Sequence, residues 1–96
     1  MRVMAKISIP VESGNRAITN GSLPAVIQRS AERWHPEAMY FTTFDGRRTA
    51  FLIFNLPETQ DLPPFAEPFF TELNAEVDVA PVMDGADLQK GLAKLS

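Results

Sequence analysis

One histidine, one tyrosine, nine basic side chains and no cysteine bound the chemistry open to this chain of 96 residues. Without cysteine there is no disulfide, no thiolate nucleophile, no thiol metal site and no iron–sulfur cluster. A single imidazole cannot build a multi-histidine metal site within one chain. His35 is that imidazole, the one side chain whose ordinary pKa lies near neutrality. It follows Trp34, and Glu32, Arg33 and Glu37 are close in sequence. As a catalytic group, His35 would be a general base oriented by a carboxylate. The competing role is structural: a histidine in the last turn of a helix interacts favourably with the helix dipole and bonds its free carbonyls. That role needs no further partner, and the sequence favours it.

A second set of polar groups lies further on. Tyr40, Thr42, Arg47 and Thr49 share one sheet face if the turn between their strands has two residues. Together they would offer hydroxyl and guanidinium donors to a small polar or anionic ligand, with Lys6 and Ser8 joining if the first strand presents the same face. The plainer alternative is cross-strand Thr–Thr and Tyr–Phe pairing, with Arg47 in solvent. Arg47-Arg48 is a dibasic pair of the kind usually solvated at a hairpin. Gly14, Gly21 and Gly46 fit no phosphate-binding glycine motif. Asp84 and Asp87 lack the ligand spacing of a calcium loop, and Met4, Met39 and Met83 suit core filling better than metal ligation. No cofactor is expected.

The elements that position these groups follow from periodicity. Val3, Ala5, Ile7 and Ile9 alternate with Arg2, Met4, Lys6 and Ser8, which predicts a half-buried strand ending at Pro10. Residues 12–22 hold Ser13, Gly14, Asn15, Asn20 and Gly21 and read as a loop, with at most a helical turn near Ala17 and Ile18. Leu23, Val26, Ile27, Ser30, Ala31 and Trp34 mark one helical face, with Ser22 as cap, Pro24 in the first turn and Pro36 as the stop. This stripe places Trp34 in the core. Residues 38–44 and 48–56 are aromatic and β-branched, joined by the hairpin signal Asp45-Gly46. A two-residue turn sets Phe44 opposite Arg47, Thr42 opposite Thr49 and Tyr40 opposite Phe51; a longer turn would shift the register by one. A second helix is expected over 63–74, capped by Asp61, with a kink or a 3₁₀ start because of Pro68. A fourth strand is expected over 76–83, at an edge because Pro81 has no N–H to donate. The tail, about 84–96, predicts a short helix capped by Asp84, with Leu88, Leu92 and Leu95 as an apolar stripe.

Composition limits the function classes. Hydrophobic residues make up 45% and charged residues 22%, as in an ordinary globular domain, and the chain reads as one domain over 1–96. The apolar runs are too short to span a membrane. The N-terminus alternates polar with apolar residues instead of presenting the continuous apolar stretch of about 7–15 residues that a secretory signal needs. With the lack of cysteine, this predicts a cytoplasmic protein. The net charge of −3 disfavours a basic nucleic-acid surface. Residues 1–48 carry seven basic and four acidic side chains, net +3; residues 49–96 carry two basic and eight acidic ones, net −6. Uneven solvated surface accounts for this simply, and self-association of opposite halves is the sharper reading.

The order strand–helix–strand, strand–helix–strand is the split βαβ arrangement of the ferredoxin-like fold: α+β, with an antiparallel four-stranded sheet in the order 4-1-3-2. Two helices cover one face of such a sheet. Here both faces of the middle hairpin are apolar: Ala38, Tyr40, Phe44, Phe51 and Ile53 on one, Met39, Phe41, Ala50, Leu52 and Phe54 on the other. An aromatic face left bare would be an unusually large patch, and a second copy covers it with two-fold symmetry. A monomer with the tail and the 12–22 segment over that face is the alternative.

In this order and patterning the chain resembles the dimeric α+β barrel superfamily, whose members pair two ferredoxin-like sheets face to face. The segments PEAMYFTTFDGRRTAFLIF, AEPFFTELNAEV and VAPVMDGADL are similar to those of a group of small uncharacterised bacterial proteins within it. The resemblance implies a homodimer binding a small molecule in or beside the barrel, with the tail helix at the interface. Its enzymatic members imply the alternative of a cofactor-independent monooxygenase or isomerase acting on a small aromatic or lactone-like metabolite. Their asparagine, tryptophan and histidine motifs do not recur here, so no catalytic assignment carries over.

Overall fold

The computed structural model describes residues 1–95. The chain runs β1 (Arg2–Ile9), α1 (Val11–Thr19), α2 (Ser22–Trp34), β2 (Ala38–Phe44), β3 (Arg47–Asn55), a 3₁₀ turn (Thr59–Asp61), α3 (Leu62–Leu73), β4 (Glu76–Pro81) and α4 (Gly85–Ala93). It is an α+β fold with an open, four-stranded antiparallel sheet in the order β2-β3-β1-β4. From the β4 edge the same sheet runs β4-β1-β3-β2, an arrangement compatible with the ferredoxin-like fold. Among the described residues, no helix is long and apolar enough to cross a membrane.

The hairpin fixes the register. Asp45 and Gly46 both take positive φ, 53° and 74°, as the tight turn matching strand twist requires. Phe44 therefore faces Arg47, Thr42 faces Thr49 and Tyr40 faces Phe51. Central β1 pairs Lys6 with Phe51 on one side and with Asp78 on the other. Both β2 and β4 are edges, and Pro81 sits in the last pair of β4, opposite Val3.

The core lies between the helices and one sheet face. Val3, Ala5, Ile7 and Ile9 of β1 and Ala50, Leu52 and Phe54 of β3 are buried there, with Met39, Val77 and Val79 half-buried at the flanks. Val26 of α2 and Phe65, Phe69 and Leu73 of α3 close over them. Phe65 stacks on Phe54 with centroids 4.5 Å apart, and Trp34 meets each of them at 5.9 Å. Trp34 is half-buried against this cluster.

Several boundaries differ from those read in the sequence. The 12–22 segment is largely helical, not a loop: α1 occupies Val11–Thr19. It is hard to read because its buried positions are Ser13, Gly14 and Ala17, small residues without an apolar stripe. A Cβ on Gly14 would lie 2.6 Å from Arg48 Nη1, so the absence of a side chain lets the Arg48 side chain lie across α1. Ser22 is the first residue of α2 rather than its cap; Gly21 holds the cap position, and Asn20 Oδ1 accepts from the Ser22 N–H at 2.9 Å. Asp61 does not cap α3 by its side chain. Its Oδ2 accepts from the Glu58 N–H at 3.1 Å, within the capping box of the preceding 3₁₀ turn. Strand β4 stops at Pro81 instead of Met83. The tail helix forms as read, with the Asp87 N–H donating to Asp84 Oδ1 at 2.8 Å; Ser96 lies outside the described residues.

Candidate ligand site on the open sheet face

The second sheet face carries the even residues of β1, β2 and β4 and the odd residues of β3, because side chains alternate along a strand. Tyr40, Thr42, Arg47 and Thr49 are therefore brought to one face, with Lys6 and Ser8 beside them. The parity also settles which apolar set meets the helices: Met39, Ala50, Leu52 and Phe54 face inward, with Phe41 on the same side but exposed at the β2 edge, while Tyr40, Phe44, Phe51 and Ile53 face outward. Tyr40 is 66% exposed and Phe44 45%, high values for aromatic side chains.

Order within this face is local. Phe44 packs edge-on against Phe51 with centroids 6.1 Å apart, and Lys6 Nζ sits 4.1 Å from the Phe44 ring centre. The ammonium is held by the negative face of the ring. Arg47 reaches past β1 to Glu76 on β4, with Nη1 3.5 Å from Oε1. Beneath them Thr49 is 3% exposed, and its hydroxyl donates to the Arg47 carbonyl at 3.1 Å. Thr42 is exposed and its hydroxyl donates to the Thr43 carbonyl at 3.4 Å. The four residues thus play unequal parts. Tyr40 and Thr42 present polar groups outward, Arg47 supplies a partly engaged charge, and Thr49 is already satisfied below the surface.

Arg47 and Arg48 do not act together. Arg48 points to the helical side, where Nη2 donates to Asn15 Oδ1 at 3.0 Å and Nη1 to the Val11 carbonyl at 3.5 Å. Glu76 is the residue that sequence reasoning missed here. Only the β1–β4 register brings it near Arg47, and no local pattern encodes that pairing.

His35 stands apart from this face. It ends α2 in the left-handed region, φ 48°, with its N–H donating to the Ala31 carbonyl at 3.0 Å, and it is exposed. Histidine tolerates that backbone region better than most residues, so the position has a structural account: Pro36 forces a stop, and His35 makes the turn. Among the described residues, no three His, Asp or Glu side chains gather as a metal site would require. No known family model matches the chain, and no curated protein matches it.

Proposed function

We propose that this chain is a homodimeric module of the dimeric α+β barrel type, binding a small molecule between two sheets packed face to face. The observation that carries the reading is the uncovered aromatic face: Tyr40, Phe44 and Phe51 line a side of the sheet that, among the described residues, no helix covers. Contiguous exposed apolar surface on a small domain marks an interaction site, and a two-fold axis lets one patch cover its own copy. Within the pair, Tyr40 and Thr42 would offer hydroxyls and Arg47 a cation to a polar or anionic ligand. The enzymatic alternative, a cofactor-independent monooxygenase or isomerase, needs Tyr40, His35 or an arginine to converge on an enclosed cavity; Tyr40 and Arg47 share the open face, and His35 stands apart from it in the helical layer.

Native mass spectrometry on protein purified gently from its own host tests this reading. The expected result is a species of twice 10.7 kDa with an additional small mass. A bare dimer would keep the assembly and remove the retained ligand. A clean monomer at all accessible concentrations overturns the proposal.

A further inference from the structure

The helical layer contains a cleft unrelated to the open sheet face. It lies between α2 and α3, has a volume of about 250 Å³, and is walled by Trp34, Phe65 and Pro68. Ser30 lines it from α2, and Arg29 and Arg33 stand at its rim. Residues 26, 29, 30, 33 and 34 fall at helical spacing, so α2 turns one continuous face toward the opening.

Three observations give this cleft a ligand chemistry. The first is Ser30: the residue is 9% exposed, and its Oγ is buried with no hydrogen-bond partner among the described residues. Buried hydroxyls are nearly always paired, by protein, by ordered water or by a bound molecule. The second is the unequal state of the two guanidiniums. Arg29 is engaged, with Nη2 2.7 Å from Glu72 Oε1. Arg33 has no ion pair among the described residues, and its guanidinium carbon lies 5.0 Å from the centre of the Trp34 ring. This cation–π contact holds the guanidinium beside the cleft, where its fork can take a carboxylate. The third is the wall, in which half-buried Trp34, Pro64 and Pro68 present apolar surface above the buried Phe65. The volume suits a ligand of only about ten non-hydrogen atoms, below the usual range of drug-sized pockets.

We infer that the α2–α3 cleft binds a small planar aromatic carboxylate, its ring against Trp34 and Pro68, its carboxylate on Arg33, and a polar ring substituent paired with Ser30 Oγ once that hydroxyl turns toward the opening. The site is built within one chain, so it stands or falls separately from the dimer.

Trp34 is the sole tryptophan of the chain, so its fluorescence reports occupancy directly. The test titrates the full chain with benzoate, 4-hydroxybenzoate and the uncharged benzamide, following Trp34 emission and confirming occupancy by saturation-transfer NMR. Benzoate and 4-hydroxybenzoate should give saturable changes, and benzamide should bind about tenfold or more weakly for lack of the charge-assisted pair. R33Q, at an exposed position that leaves folding intact, should weaken benzoate about tenfold while leaving benzamide unchanged. 4-Hydroxybenzoate should bind more tightly than benzoate through Ser30, and S30A should remove that preference without weakening benzoate itself. Absence of saturable binding by any of the three overturns the inference. So does equal affinity for benzoate and benzamide, or wild-type benzoate affinity in R33Q.

Discussion

Phe54 shows how unevenly the chain's aromatic residues contribute to the fold. It is 1% exposed, stacked on Phe65 and in contact with Trp34, with β3 behind it. Removing its ring deletes apolar contacts and leaves a cavity that α2 and α3 cannot close, since both are anchored elsewhere in the core. Phe54→Ala should therefore lower the free energy of unfolding by about 3–5 kcal/mol, read from urea denaturation with an unchanged slope. Phe70, one residue beyond the buried Phe69, turns outward on α3 and is 41% exposed; its change to alanine should cost about 1 kcal/mol. Equal losses at the two positions would mean that the core is not where the packing places it. The apolar spacing of α3 takes in Phe70 together with Phe65 and Phe69, and the two apolar faces of β3 leave open which one meets the helices, so of these features only the α3 helix itself is legible in sequence. The unpaired Ser30 hydroxyl is not: on the α2 stripe it looks like one more inward position, and its isolation exists only once α3 lies across it.

Local signals placed the elements whose apolar period or turn chemistry is strong, and failed where packing uses other means. Asp45-Gly46 gave the β2–β3 register because only a few residue types tolerate two consecutive positive φ angles. Helix α1 was hidden because it packs through Ser13, Gly14 and Ala17 and is tied to β3 by Arg48, contacts without a hydropathy signature. Helix α4 is the opposite case. Its stripe and cap are plain in sequence, yet all nine of its residues are exposed. A helix that short is marginal in water without packing, so its cap matters. The Asp84 carboxylate is held below its ordinary value of 3.8, chiefly by the hydrogen bond from the Asp87 N–H, with Arg2 adding a smaller attraction. A lowered carboxylate pKa contributes stability that is complete above the ordinary value and lost as pH falls through the folded value. Amide exchange in residues 85–93 should therefore be pH-corrected constant above about pH 5 and accelerate as Asp84 protonates. Asp84→Asn, which keeps an acceptor, should flatten that dependence. An unaltered acid profile in this variant would assign the effect to another carboxylate.

At the scale of the molecule, the proposed dimer would account for α4 and the open face together. The Cα radius of gyration is 15.1 Å, with extents of 54 × 27 × 18 Å, whereas a compact chain of this length has a radius of about 12–13 Å. The excess reflects an elongated outline in which α4 contributes no buried residue. Area gives the reason to couple the two features. Four strands at about 4.8 Å spacing and about 20 Å length present roughly 400 Å² in projection. Stable interfaces bury about 800 Å² per partner. Side-chain relief raises the first figure, and the Leu88, Leu92 and Leu95 stripe supplies further apolar area from a helix otherwise without a core. Charge placement is compatible with a two-fold arrangement: Lys6 lies on central β1 and Asp78 on the β4 edge of the same face, so opposed sheets can pair unlike charges. If α4 completes the interface, placing charge on its stripe must cost association while sparing the monomer core, which α4 does not enter. The double variant L88D/L92D in the full chain should raise the dimer dissociation constant by about a hundredfold or more. Its circular dichroism outside the α4 contribution and its urea midpoint at low concentration should stay those of the dissociated parent chain. Sedimentation equilibrium across a dilution series reads the association directly. A dimer of unchanged affinity would leave the sheet face as a sufficient interface and α4 without a role in it; loss of the dimer only on charging the face, as in F51D, would separate the two surfaces.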